Sequence, residues 1–428
     1  MSRHAFTRNS YAKLPEQQQA LNEPDHNKMK QGSWASLALI YLYGVVSAAS
    51  LTKAIPLQDP ITGLPGATAA LFGLYISLMA ILPAIFGTMS GAVIDRLGAR
   101  PALVLAAVIG ALVNGLYMVA GSFAGFEVIR VVEGAVPLLV YAAAPALMIA
   151  TSAPERRSAA MALWSSYTPV GTSLGLLISA AVAGGNHWRY AYLMHGAIFA
   201  LLVVLGLALP KTVAAPVAPA AARRSILALL RSPEGAGPLR LATSFGVLIL
   251  LGLGVSVVMP PYLSRHFHIS IGAASGIMAI TNIVMILGSA LGGVFLTRGV
   301  LPARLFIGLA AVGTVAGLGV FAPWTRMGLT VSSLLIWLIC TGAAMAVLAS
   351  LLPRVAGPAH RASTAGLLSQ TGALTTFVTA PLWLAMLALN QWLALFALIL
   401  AGWGISAALL PAQARFPSEA GSASRPDP

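Results

Sequence analysis

Residues 241–263 read LATSFGVLILLGLGVSVVMPPYL, twenty-three residues without a single Asp, Glu, Lys or Arg. As an α-helix this stretch extends for about 34 Å, at ~1.5 Å per residue, and the hydrocarbon core of a bilayer is ~30 Å thick. It spells a membrane span. Apolar runs of similar length recur at roughly 34–55, 68–93, 101–120, 126–150, 159–183 and 190–209 before it, and at 273–296, 303–322, 328–352, 362–388 and 392–411 after it. Each break between runs carries charge, Pro or Gly, so the count is twelve.

The composition agrees. Of 428 residues, 58% are hydrophobic and only 8% are charged, against ~25% charged in a soluble domain. So few charges cannot cover a water-facing surface, which excludes a soluble enzyme, a disordered chain and a disulfide scaffold. The net charge of +14 would suggest nucleic acid in a soluble protein. Here the basic residues are spread through short loops, as the positive-inside rule requires, and no nucleic-acid partner is expected. One cysteine, Cys340, lies inside an apolar run and reads as a small core residue.

Sidedness follows from the basic residues. With the N-terminus inside, the N-tail, the central loop, the C-tail and the smaller inner loops (Arg96, Arg100, Arg156, Arg157, Arg298, Arg304, Arg354, Arg361) hold 20 of the 25, leaving Lys53, Arg130, Arg189, Arg265 and Arg326 for the outer side and the spans. Both termini are expected in the cytoplasm. The expected organisation is a polar tail over 1–33, a six-helix bundle over 34–209, a cytoplasmic loop over 210–240, a second six-helix bundle over 241–411 and a tail over 412–428. The fold class is all-α: a polytopic membrane protein of twelve transmembrane helices in two parallel bundles. A faint internal repeat supports the division. Gly87 and Gly91 recur as Gly288 and Gly292, Arg96 as Arg298, and Arg157, Leu163 and Ser165 as Arg361, Leu367 and Ser369. Parallel repeats place a solute site between them near the midplane.

Three motifs carry mechanism. Between the second and third spans stands Gly91-x-x-x-Asp95-Arg96-x-Gly98-x-Arg100. Small residues let helices approach closely, Asp95 can cap or pair with a neighbouring helix end, and the arginines stay at the membrane face. A tight charged link of this kind can latch one conformation and release another. In the fourth span, Glu127, Arg130 and Glu133 lie on one broad face, followed by Gly134. A lone Arg at a span centre costs ~2.5–3.5 kcal/mol on insertion scales, and flanking carboxylates offset that. Burial and the arginine act on Glu133 in opposite senses, so the three are candidates for proton coupling, with Glu127 nearer the outer surface. In the fifth span, Met161, Leu163, Trp164, Ser165, Tyr167, Pro169, Gly171 and Gly175 combine a loosened helix with a small-residue contact face. Trp164 and Tyr167, three apart, share a face that can line a cavity.

The segment Gly91–Arg100 resembles the loop 2–3 signature of the major facilitator superfamily, a family of twelve-span secondary transporters. It departs from the pattern at Ala99, where a basic residue is usual. The second-half copy is degenerate, with Gly293, Thr297 and Arg298. The resemblance implies proton coupling at the Arg and Gly of span 4, although members often have Gln where Glu133 stands. The span 5 pattern is more similar to the cyanate/nitroimidazole-type branch than to exporters with a longer Gly-Pro-Gly-Gly signature.

Other polar residues fill out the expectation. Lys53, at the outer end of span 1, either snorkels to the surface or adds positive charge to the outer mouth of the cavity. Trp188-Arg189 reads as an interfacial anchor, and His195 as a packing or proton-responsive histidine. His266 and His268, with no acidic neighbour, make a poor metal site. The second half has no acid or base within its spans; its polar candidates are Asn282, Trp337, Gln370 and Thr371. Cavity candidates are therefore Lys53, Trp164, Tyr167, Asn282, Trp337 and Gln370. No lysine follows a glycine, so no Walker-type loop exists and ATP is not the energy source. No cofactor and no metal are expected.

The functional expectation is a monomeric, proton-coupled secondary transporter of a small organic solute in a bacterial inner membrane, leaning to efflux of a drug, metabolite or siderophore-like cargo. Uptake of a small organic or inorganic anion is the alternative, supported by Lys53 and Arg130. A membrane enzyme lacks any catalytic constellation here, and a channel is the remaining class.

Overall fold

The protein is described from a computed structural model, covering residues 33–210, 235–322, 326–355 and 361–416. Most of each expected tail and of the expected central loop lies outside these residues. All twelve apolar runs are helical, and no strand occurs among the described residues. In the first half the helices are α1 (Trp34–Thr52), α2 (Ala69–Leu78 and Ile81–Leu97), α3 (Ala99–Val119), α4 (Phe123–Glu133 and Ala135–Thr151), α5 (Arg157–Ser165 and Tyr167–Ala180) and α6 (Tyr190–Gly206). In the second they are α7 (Ala236–Phe267), α8 (Ile271–Thr297), α9 (Pro302–Val320), α10 (Met327–Val355), α11 (Arg361–Ala388) and α12 (Trp392–Ala408).

Eight of the helical segments are long and apolar enough to cross a membrane, and α2 does so as a pair bent by 41°. The other three are shorter or interrupted: α6 and α12 have 17 residues each, about 25 Å at ~1.5 Å per residue, and α5 breaks at Ser166.

Local chemistry sets the ends. Ser33, Thr68, Ser122 and Ser270 each accept a backbone N–H with the side-chain oxygen at the start of α1, α2, α4 and α8, satisfying donors that a helix start leaves orphaned. Gly98 and Gly299 turn the chain after α2 and α8 at φ of +85° and +82°, a region open to glycine without a Cβ penalty.

The halves repeat one packing scheme. α1 lies on α5, α3 on α6 and α2 on α4; α7 lies on α11, α9 on α12 and α8 on α10. Across the divide, α2 meets α11 and α5 meets α8. Odd-numbered helices start at the face bearing Arg96, Arg298 and Arg354, the basic face, and end at the opposite face. The seam between halves is closed from mid-height to the opposite face. A Cβ on Gly73 would fall 2.8 Å from Pro381, and one on Gly272 would fall 2.9 Å from the Ala180 carbonyl. Ser173 donates to the Ala279 carbonyl at 2.7 Å, and Asn282 donates to Thr172 at 3.4 Å. Gln370 reaches the Ala84 carbonyl at 3.2 Å.

Candidate buried charge cluster

α1 ends because Pro56 follows in a short 3-10 turn, Ile55–Leu57. Its last turn is held by α5: Thr52 Oγ1 donates to the Thr172 carbonyl at 2.6 Å, and Ser179 Oγ donates to the Lys53 carbonyl. The expectation that Lys53 snorkels, or stands in an open mouth, is corrected. Its side chain is fully buried and runs into the bundle, because three acceptors from three helices meet its three N–H bonds. Nζ donates to Glu133 Oε1 on α4 at 2.6 Å, to Asn114 Oδ1 on α3 at 2.6 Å and to His195 Nδ1 on α6 at 3.2 Å. The rings of Tyr117 and Tyr192 stand 5.4 and 5.1 Å from Nζ, within cation–π range.

Each acceptor is oriented in turn. Asn114 Nδ2 donates to the Gly110 carbonyl at 2.7 Å, which turns Oδ1 toward the lysine. His195 Nε2 lies 2.9 Å from the Val46 carbonyl, so the hydrogen-bond network assigns the proton to Nε2 and leaves Nδ1 to accept.

Glu133 accepts two further hydrogen bonds. Its Oε2 accepts from Arg130 at 2.9 Å and from the Tyr117 hydroxyl at 3.2 Å. Arg130, also fully buried, has a second role at the break in α2. There Ala80 N–H bonds back three residues to Ser77 at 2.8 Å, freeing the Ile76 carbonyl, and Arg130 donates to that carbonyl at 3.2 Å. Gly134 permits this approach: a Cβ there would fall 2.5 Å from the Met79 carbonyl. The Arg130 guanidinium lies 5.4 Å from the Tyr75 ring, and Tyr75 and Tyr192 share a hydrogen bond of 3.1 Å. Arg130 Nε has no acceptor. Phe72, Phe123 and Phe126 pack around the cluster from the opposite face.

The remaining sequence candidates fall elsewhere. Glu127 is half-buried and joins no ion pair among the described residues, so the expected three-residue group narrows to Arg130 and Glu133 with Lys53 added. Trp337 is not at a cavity wall but fully buried in the second half, 6.2 Å from Trp383 and 6.4 Å from Phe321. Trp164 and Tyr167 stack at 4.3 Å on the α1–α5 seam, Trp164 lying over Gly44. Asn282 and Gln370 tie the halves together, Asn282 also accepting from Ser256 at 3.0 Å.

The expected latch lies where α2 passes into α3. Nothing lies within 4 Å of a Cβ built on Gly91, Arg96 is exposed, and the Asp95 side chain lies outside the described residues. Gly98 supplies the turn, and Arg100 donates to the carbonyls of Gly206 and Leu207, capping the end of α6. Asn114, Tyr75, Tyr117 and Tyr192 were missed by the sequence reading. The available signal was the pair Asn114 and Tyr117, three residues apart and hence on one face of an apolar helix.

The Major Facilitator Superfamily family model matches residues 36–380. Among solved structures, the crystal structure of the human organic anion transporter MFSD10 (TETRAN) superposes with a TM-score of 0.62 at 18% identity, covering 87% of this chain and 98% of that one. At that identity the likeness concerns the fold. No curated protein matches the sequence.

Proposed function

The chain belongs to the major facilitator superfamily, and from that premise we propose that it is a proton-coupled secondary transporter of a small organic solute in which Glu133 is the proton-binding group. The observation that carries this reading is the burial of Glu133. It is the one fully buried carboxylate among the described side chains, held between Lys53 and Arg130 on two different helices. A carboxylate so placed has two states of very different interaction energy. Ionised, it bridges α1 to α4; protonated, it loosens both bonds and frees Arg130, which also grips the α2 break. Proton binding is thereby linked to the relative placement of three helices, and linkage of that kind is what coupling requires.

The enclosing scaffold suits alternating access. The seam between halves is closed on the opposite face by small residues and a few hydrogen bonds, contacts weak enough to part. The loop and span 4 motifs give a lean to efflux in exchange for protons.

Vesicles reconstituted with the full chain test the reading. Solute flux should rise with an imposed pH difference, and Glu133→Gln should abolish that dependence while counterflow persists. Flux in the unsubstituted protein that ignores the pH difference ends the proposal.

A further inference from the structure

The charges in the cluster do not balance. Lys53 and Arg130 are cations, Glu133 is the single anion, and all three are fully buried. The other polar or ionisable groups around them are Tyr75 from α2, Asn114 and Tyr117 from α3, and Tyr192 and His195 from α6. None is an anion. His195 cannot take up a proton on Nδ1 while it accepts there from Lys53. A proton on Glu133 therefore leaves two buried cations facing each other with no counter-charge, a state of high cost in a medium of low dielectric. An anion arriving with the proton restores the balance.

The donors define its shape. Lys53 Nζ, Arg130 and the Tyr117 hydroxyl converge on the two oxygens of one carboxylate. Arg130 Nε, fully buried and without an acceptor, offers one more N–H beside that pair. Guanidinium and ammonium groups in such a fork suit a carboxylate. Ala54 alone separates Lys53 from the turn Ile55–Leu57, which packs on α5, α7 and α8, so the backbone carrying the ammonium lies beside the seam between the halves.

We propose that the solute is a small organic monoanion whose carboxylate replaces Glu133 between Lys53 and Arg130 once Glu133 is protonated. In the empty carrier Glu133 stands in for the cargo. One proton binds the Glu133 carboxylate, one anion binds the two cations, and the cluster's net charge is unchanged, so the pair moves electroneutrally in the same direction. This deepens the proton-coupled reading and rests on it, and it replaces the lean to efflux with symport.

Thermal unfolding of the purified full-length protein tests the idea with acetate, benzoate and salicylate as probes, and benzamide and benzylammonium as neutral and cationic counterparts. The carboxylates should stabilise the protein in mildly acidic buffer and fail to do so at neutral pH. Glu133→Gln should bind them at both, with an apparent Kd at neutral pH at least about tenfold below that of the unsubstituted protein. Adding Lys53→Met to Glu133→Gln should remove the gain. Equal stabilisation by the neutral or cationic probes overturns the proposal, as does the absence of carboxylate binding to Glu133→Gln. If that variant does not accumulate, the pH comparison on the unsubstituted protein decides: carboxylate stabilisation that is no greater in acidic buffer than at neutral pH overturns the proposal. A carrier that binds benzoate in this pattern, yet whose flux ignores a pH difference, would keep the anion site and overturn proton coupling, the symport with it.

Discussion

In α4, Glu133 is bonded to Lys53 and lies beside Asn114 and His195; in α10, 204 positions later, Trp337 fills the corresponding place. The match extends to the neighbours. Asn114 corresponds to Gly317, 203 positions on, and a Cβ at Gly317 would fall 2.9 Å from both Trp337 and Ile399. Ile399 in turn stands 204 positions after His195. One level nearer the basic face the scaffolds coincide. A Cβ on Gly110 would fall 2.6 Å from the ring of Phe199, and one on Gly313 would fall 2.6 Å from that of Trp403. The same helix scheme thus encloses a charged, hydrogen-bonded cluster in one half and an indole with an unpartnered N–H in the other. The first arrangement has two protonation states to choose between; the second has one. On the proposed function, the first half supplies the switching chemistry and the second a rigid aromatic body for it to move against.

The hardest test of that contrast is to transplant the charge. Trp337→Glu would put a carboxylate where no cation waits, at a cost of several kcal/mol, and no monodisperse protein should be recovered by size-exclusion chromatography. A folded, stable variant would mean the second half is not a dry aromatic core. Lys53→Met comes next. Removing one partner of a buried pair destabilises by about 3–5 kcal/mol, and transport should vanish with it. Because Lys53 and Glu133 touch, the double variant Lys53→Met/Glu133→Met should unfold at a higher temperature than the two single losses added together; additive losses would show that the pair is not coupled. Trp337→Phe keeps the aromatic fill and should cost roughly 1–2 kcal/mol by cavity formation, with the response of flux to a pH difference intact. A changed pH response there would assign the second half a share of coupling. The smallest effect concerns the seam. Asn282→Ala removes its hydrogen bond to Thr172 between the halves, worth about 1 kcal/mol, and should speed maleimide labelling of a cysteine placed at the buried Ser275 of α8, in a Cys340→Ser background, by roughly fivefold. Unchanged labelling would show that this contact does not hold the opposite face shut.

The helices were readable because a bilayer leaves the chain few options: each backbone polar group must be bonded within the span, and uninterrupted apolar length announces that. The run at 273–296 became α8 over Ile271–Thr297, and the run at 362–388 became α11 over Arg361–Ala388. Arg130 and Glu133 were readable as partners for the same reason, since charge is so rare in these spans that two charges three residues apart stand out. Lys53 was not readable in this way. Near the end of a run, lysine ordinarily extends toward water, and nothing local reveals that Asn114, Glu133 and His195 lie 61, 80 and 142 positions further on with acceptors pointing at it. Glu127, on the face of Arg130 by periodicity, is half-buried and joins no ion pair among the described residues.

The amino-acid order alone settled how many apolar helices the chain forms, roughly where each begins and which half holds ionisable groups, because these depend on length, hydropathy and count. Which cation meets which anion, and that one positive charge is left over inside the bundle, was decided by how α1, α3, α4 and α6 pack. Hydrogen bonds between helices are set by the positions of atoms in space, and no spacing along a single helix encodes them.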